Sequence, residues 1–213
     1  MTKIIATHGG YKNLKSFQTA QIAFDLNFQF CDRYVSSLKM RDQMEGAGRS
    51  GVQNIGEGSR TSGTSKQSEL RLVNVARASL DELKLDYEDF LRQRDLPIWK
   101  KDDKRVLEIR NVAYASNKSY TTYMSYMSNP ETAANCILCI LNQANYLLDQ
   151  QMKALEADLK SNGDYKERYN TVRKEKLMGE DKDEYEDILK KAGVKRLPNG
   201  QIVKLEDDKT KQN

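Results

Sequence analysis

Apolar residues recur every three to four positions along several long stretches of the chain, separated by short polar breaks. That is the periodicity of helices burying one face. In the first stretch Leu14, Phe17, Gln21, Phe24, Phe28, Cys31, Val35 and Leu38 alternate spacings of three and four, which predicts an a/d seam on a helix over 13–38. The second, from 39 or 41 to 57, sets Met44, Ala47, Gly48, Gly51, Val52 and Ile55 on one side. A glycine inside a helix costs about 1 kcal/mol relative to alanine. Gly46, Gly48, Gly51 and Gly56 therefore call for a closely approaching neighbour. Gly58 and the polar run 59–65 predict a helix stop, a loop and candidates for the next N-cap. A third helix over 65–94 carries Val73, Ala76, Leu80, Leu83, Tyr87 and Phe90 at seam spacing, and Pro97 marks its end. A weaker helical stretch passes through Val106, Leu107, Ile109, Val112 and Ala113. Asn129-Pro130-Glu131 reads as N-cap, N1 proline and first-turn acid. It opens a last long helix with Ala133, Ile137, Leu141, Ala144, Leu148 and Leu155 inward.

Short connections favour antiparallel neighbours, so the expected fold is all-α, an antiparallel up-and-down four-helix bundle with a charged, partly helical C-terminal extension. The expected division is a flexible leader (1–12), the bundle (13–160) and a suffix (161–213) whose last dozen residues are mobile. The suffix mixes acids and bases almost evenly and lacks a sustained apolar stripe, leaving little to offset its ordering entropy. Tyr165, Tyr169 and Val172 are placed to dock one short helix, and Tyr185, Ile188 and Leu189 another.

Composition narrows the picture. With 38% hydrophobic and 31% charged residues, the chain supports one sizeable core and a polar remainder. No apolar run approaches the roughly 18–20 residues of a membrane span. Three cysteines form no disulfide framework. A protein of the cytoplasm, neither membrane-inserted nor secreted, is the expectation. The net charge of +4 is mild, so its placement matters more. Between Arg33 and Arg77 stand eight bases (Arg33, Lys39, Arg41, Arg49, Arg60, Lys66, Arg71, Arg77) against four acids (Asp42, Glu45, Glu57, Glu69). That excess equals the whole net charge, and it reads either as a solvated face or as a nucleic-acid footprint.

Catalytic and metal chemistry find little support. The run 58–66 looks like a phosphate-binding loop, but Thr64 stands where the lysine must follow the second glycine, and the run leaves a helix rather than a strand. Cys136 and Cys139, with Cys31 and the single histidine His8, contain the donor types of a zinc site. Yet the pair sits among Ile137, Leu138, Ile140 and Leu141, where cysteine acts as a small hydrophobe. The carboxylates Asp81 and Glu82, and Asp86 with Glu88 and Asp89, fall on the solvated side of the third helix. Tyr114, Tyr120, Tyr123 and Tyr126 suit subunit or tail packing better than base stacking. No catalytic residue, metal or cofactor is expected.

Several segments carry a family resemblance: Tyr11-Lys12-Asn13-Leu14, Gln43-Met44, Ala47, Arg49-Ser50, Asn54-Ile55, Glu57-Gly58, Ala76, Ser79-Leu80 and Glu82-Leu83. In this order the chain resembles the bacterial four-helix-bundle family that includes proteins encoded by intervening sequences of large-subunit ribosomal RNA genes and, more distantly, the accessory variability determinant of diversity-generating retroelements. His8-Gly9-Gly10-Tyr11, the run 62–66, Asn142-Gln143-Ala144, Tyr146-Leu147-Leu148-Asp149 and the stretch 163–173 resemble its branch with a four-helix-bundle suffix domain. The likeness covers most of 8–175. It implies a homo-oligomer, often a five-fold barrel of bundles. In the retroelement relatives it implies a basic surface touching nucleic acid and a reverse transcriptase. Many members carry an Arg-Arg pair before the alanine matching Ala47; here Glu45 and Gly46 stand there.

Two functional expectations follow. One is a non-enzymatic oligomeric accessory protein, a pentamer by the resemblance, that binds RNA or DNA nonspecifically through Arg41, Arg49, Arg60, Lys66, Arg71 and Arg77. The other is a protein-interaction scaffold that oligomerises and recruits a protein partner without nucleic acid. Spare apolar positions such as Leu72, Val75, Ile109 and Tyr123 are the expected subunit contacts.

Overall fold

The computed structural model describes residues 9–112, 119–198 and 200–204, without the side chains of 180 and 181. The chain divides into two compact units, one ending at Tyr165 and the other beginning at Lys166. Both are dominated by helix, so the fold is all-α. In the first unit a 3-10 turn (Tyr11–Asn13) leads to α1 (Lys15–Tyr34), α2 (Leu38–Thr61), α3 (Lys66–Arg92), α4 (Lys104–Val112), a 3-10 segment (Tyr120–Ser128) and α5 (Pro130–Asn162). Helix α6 (Tyr165–Lys191) starts on the last residue of the first unit and otherwise belongs to the second, which also holds a hairpin of β1 (Val194–Arg196) and β2 (Ile202–Lys204), antiparallel, with Lys195 opposite Val203.

Helix α1 packs on α2 and α5, and α3 packs on α2 and α5. The contacts of α3 with both neighbours run in opposite chain order. Gly48 faces Leu83 while Gly58 faces Glu69; Asn145 bonds Asp81 while Lys66 pairs with Asp158. All six seam residues of the third predicted helix are buried, as are all six of the last. The caps of α5 are those the sequence predicts: the Asn129 side chain accepts from Thr132 N and Pro130 sits at the first turn. Ser65 caps α3, accepting from Ser68 N.

Several expectations need correction. The first helix ends at Tyr34 rather than 38, because Val35 turns extended and Ser37 caps α2 by accepting from Met40 N. Its seam is also rotated: Phe28 is 53% and Leu38 74% exposed, and Gln21 is exposed. Ala20, Ala23, Leu26, Asn27 and Phe30 are buried instead, since small Ala20 and Ala23 allow a closer approach than Phe28 would. Helix α2 runs through Gly58 and Ser59 to Thr61. Gly58 is packed against Glu69 and Leu72 of α3 rather than stopping the helix. In place of two short helices, the suffix forms one long α6. Residues 9–13 of the chain's start pack on α2 rather than forming part of a flexible leader: Gly9 N donates to Ser59 O at 3.0 Å, and a Cβ on Gly56 would lie 3.6 Å from the Tyr11 ring. Ile109 and Tyr123, expected as subunit contacts, are core residues where α4 and the second 3-10 segment cover α5. Of the expected mobile end, 202–204 form β2 and 205–213 lie outside the described residues.

The polar groups at the centre of the core bond one another. Tyr87 Oη donates to Asn27 Oδ1 at 2.8 Å, and Asn27 Nδ2 donates to Met44 O at 3.1 Å, joining α3, α1 and α2. Burial pushes the Tyr87 hydroxyl well above its ordinary range.

Candidate nucleic-acid interface

The six cations singled out by sequence do not form one patch. Arg41, at the start of α2, turns back over the end of α1: its Nη2 donates to Cys31 O at 2.9 Å and Asp32 O at 3.3 Å, and its Nη1 lies 3.6 Å from Asp32 Oδ1. It closes the orphan carbonyls of a helix C-terminus, where a cation is favoured. Lys66 is consumed twice. Its side chain pairs with Asp158, and its backbone N–H donates to Asp164 Oδ1 at 2.9 Å. Arg77 Nε lies 2.6 Å from Asp149 Oδ1, with Asp81 at 3.4 Å from Nη1. Three of the expected phosphate contacts are thus bound within the fold. The acids that take Lys66 and Arg77, Asp158 and Asp149, both come from α5. A count confined to 33–77 misses them because folding, not sequence, brings them close.

Arg49, Arg60 and Arg71 remain exposed. Among the described residues Arg49 and Arg71 have no ion-pair or hydrogen-bond partner. Arg49 and Arg60 stand eleven positions apart on α2, which at 3.6 residues per turn places them within about 20° on the same face and about 16 Å apart along it. Exposed Gln53 lies between them on that face. Tyr11 steadies Arg60: its Oη accepts from Arg60 Nη2 at 3.1 Å, and the guanidinium carbon sits 5.2 Å from the ring centroid. Phe17 braces Tyr11 edge-on at 4.8 Å. Sequence reasoning missed Tyr11 as a support; an aromatic after two glycines carries no signal that it will meet α2. Glu57 and half-buried Glu45 also lie on α2. Arg71 projects from α3, on the face opposite that helix's core.

The other candidate chemistry resolves into packing. Gly58 lies within a helix, so the run 58–66 is a helix end and a four-residue connection, not a phosphate loop. Cys31, Cys136 and Cys139 are free and buried; burial pushes the Cys31 thiol to about 12 and the Cys139 thiol to about 11. His8 lies outside the described residues. Among the described residues no group of His, Cys, Asp and Glu is arranged to hold a metal. Burial raises Asp86 above the usual carboxylate range, with Glu82 and Asp89 adding to it. Asp81 is occupied by Arg77 and Asn145. Tyr123 is buried, Tyr120 exposed and Tyr126 half-buried, and Tyr114 lies outside the described residues. A small cleft beside α5 is lined by Trp99, Arg110 and Cys139. Its tryptophan is locked: Nε1 donates to Glu131 at 2.9 Å, its backbone N–H donates to Asn135 at 2.8 Å, and Arg105 lies 3.8 Å over the ring. No described helix is long and apolar enough to cross a membrane.

Comparison with family models, with curated proteins and with solved structures found no match.

Proposed function

We propose that this chain is a non-enzymatic, homo-oligomeric accessory protein of the cytoplasm that binds RNA or DNA by its phosphates, without sequence preference, through the outer face of α2. Its frame is an antiparallel up-and-down four-helix bundle of α1, α2, α3 and α5, a reading supported by the packing pairs and their reversed contact order. The observation that carries the function is the pair Arg49 and Arg60, one unpartnered and one held by Tyr11, on a single exposed helical face. Arginine suits phosphate because its planar fork donates two parallel hydrogen bonds. Two cations per chain bind weakly, so the reading needs several copies acting on one polyanion.

The test is binding of labelled duplex and single-stranded RNA and DNA at low salt by the full chain, freed of co-purifying nucleic acid by a high-salt wash. Binding to all four probes with similar affinity is expected. Absence of binding at low salt would leave the second reading, a scaffold that recruits a protein partner. Exposed Val75 and Leu85 on α3 favour that reading.

A further inference from the structure

The face of α3 that points directly away from the core carries Arg71, Val75, Ala78, Glu82, Leu85 and Asp89, all of them exposed. Their spacings are four, three, four, three and four. The series reads the same in both directions. Opposed across its centre, Arg71 meets Asp89, Val75 meets Leu85 and Ala78 meets Glu82. Val75 is 43% and Leu85 61% exposed, and Arg71 has no partner among the described residues. Asp89 holds the surface pair with Arg92, 2.7 Å away on its own helix, a kind of contact worth little.

An antiparallel helix pair related by a two-fold axis brings residue i of one chain against residue j of the other, and j against i. A stripe with symmetric spacing, a cation opposite an anion and an apolar residue opposite an apolar residue meets that requirement from one helix alone. The short side chain of Ala78, next to the centre, leaves room for the two helices to approach. We propose that the outer stripe of α3 is a self-association surface, on which a second copy of this chain packs its own α3 antiparallel about a two-fold axis. Each contact pair occurs twice, so two Arg71–Asp89 bridges flank two Val75–Leu85 contacts. Arg71 then serves the assembly rather than a phosphate. The inference rests on the homo-oligomer reading, and is independent of nucleic-acid binding. It also fixes parity: a two-fold contact that closes gives an even number of chains, not a lone five-membered ring.

The contact has one unfavourable member. Glu82 lies about 6 Å along the axis from its own counterpart, so Glu82→Gln tightens the association. Ala78 is likewise about 6 Å along the axis from its copy, across helices about 8–10 Å apart, within reach of a short bis-maleimide. The three native thiols are buried, so Ala78→Cys supplies the reactive one.

The experiment combines light scattering of the full chain with charge reversal and cross-linking. The expected mass is an even multiple of 24.5 kDa. Arg71→Asp and Asp89→Arg each weaken self-association about tenfold or more through like-charge contacts, and the two together restore it. Ala78→Cys cross-links to a dimer, whereas Lys153→Cys, on the exposed part of α5, does not. A monomer at tens of micromolar overturns this inference and the oligomer reading together. An odd-numbered assembly, or an oligomer indifferent to both reversals, overturns this inference alone.

Discussion

Tyr87 and Asn27 are 60 residues apart in sequence and share a hydrogen bond of 2.8 Å in the core. Tyr87 was legible as a seam residue from its spacing; its hydroxyl's destination was not, because Asn27 lies on the helix whose seam the aromatic residues misplace. Tyr87→Phe leaves buried Asn27 Oδ1 with only the weak Cys31 Sγ donor at 3.8 Å, so a loss of about 1–3 kcal/mol is expected, read as a lower urea midpoint at unchanged m-value. The same limit governs the cations. Arg41, Lys66 and Arg77 stand beside Arg49 and Arg60 in any local charge count. Their partners are a helix end reached by a turn and two acids of α5. Cations without an acidic partner can be told from ion-paired ones only after the helices pack.

Among elements, α2 shows what small residues do. A Cβ placed on Gly51 would lie 2.4 Å from Leu80 Cδ2 and 2.8 Å from its Cγ, whereas one on Gly46 meets nothing within 4 Å. Gly51→Ala therefore overpacks the α2–α3 contact and should cost about 1–3 kcal/mol. Gly46→Ala should gain up to about 1 kcal/mol from helix propensity. Thermal melts of the two variants shifting in the same direction would contradict this packing. The small face of α2 was readable from Gly48, Gly51 and Gly56, but Gly46, expected to meet a close neighbour as well, is exposed with nothing near it; the seams of α3 and α5 were readable from their apolar spacing. For α1, several large residues point outward and alanines point inward, so side-chain size misled the register. The join of α5 to α3 adds a pH effect. Burial pushes the Asp164 carboxyl up, but hydrogen bonds from the backbone of Tyr165 and Lys66 and from Ser65 bring it below the usual carboxylate value. A depressed native pKa means its stabilisation is complete above the unfolded value of about 3.9 and fades as pH falls through the lower native one. Asp164→Asn should accordingly be less stable than wild type at about pH 6, with the gap closing below a pH of about 3.

For the whole molecule, a charge of +4 gives little net attraction for a polyanion, so the proposed phosphate binding depends on where unpaired charge survives folding. That surface is smaller than the 33–77 segment suggests, because α5 neutralises part of it. In the homo-oligomer we propose, repeating Arg49 and Arg60 in every copy would restore its strength. Phosphate contacts act by releasing condensed counterions, and the logarithm of affinity falls with the logarithm of salt by about 0.9 per duplex phosphate neutralised. The most direct measurement is duplex binding as a function of salt, for wild type and for Arg49→Glu with Arg60→Glu, in samples of equal helicity and oligomeric state. The variant should bind more weakly, with a slope shallower by about one for each arginine engaged. Equal affinity and equal slope in the two proteins would contradict phosphate binding by these arginines, and the outer face of α2 would be a solvated surface only.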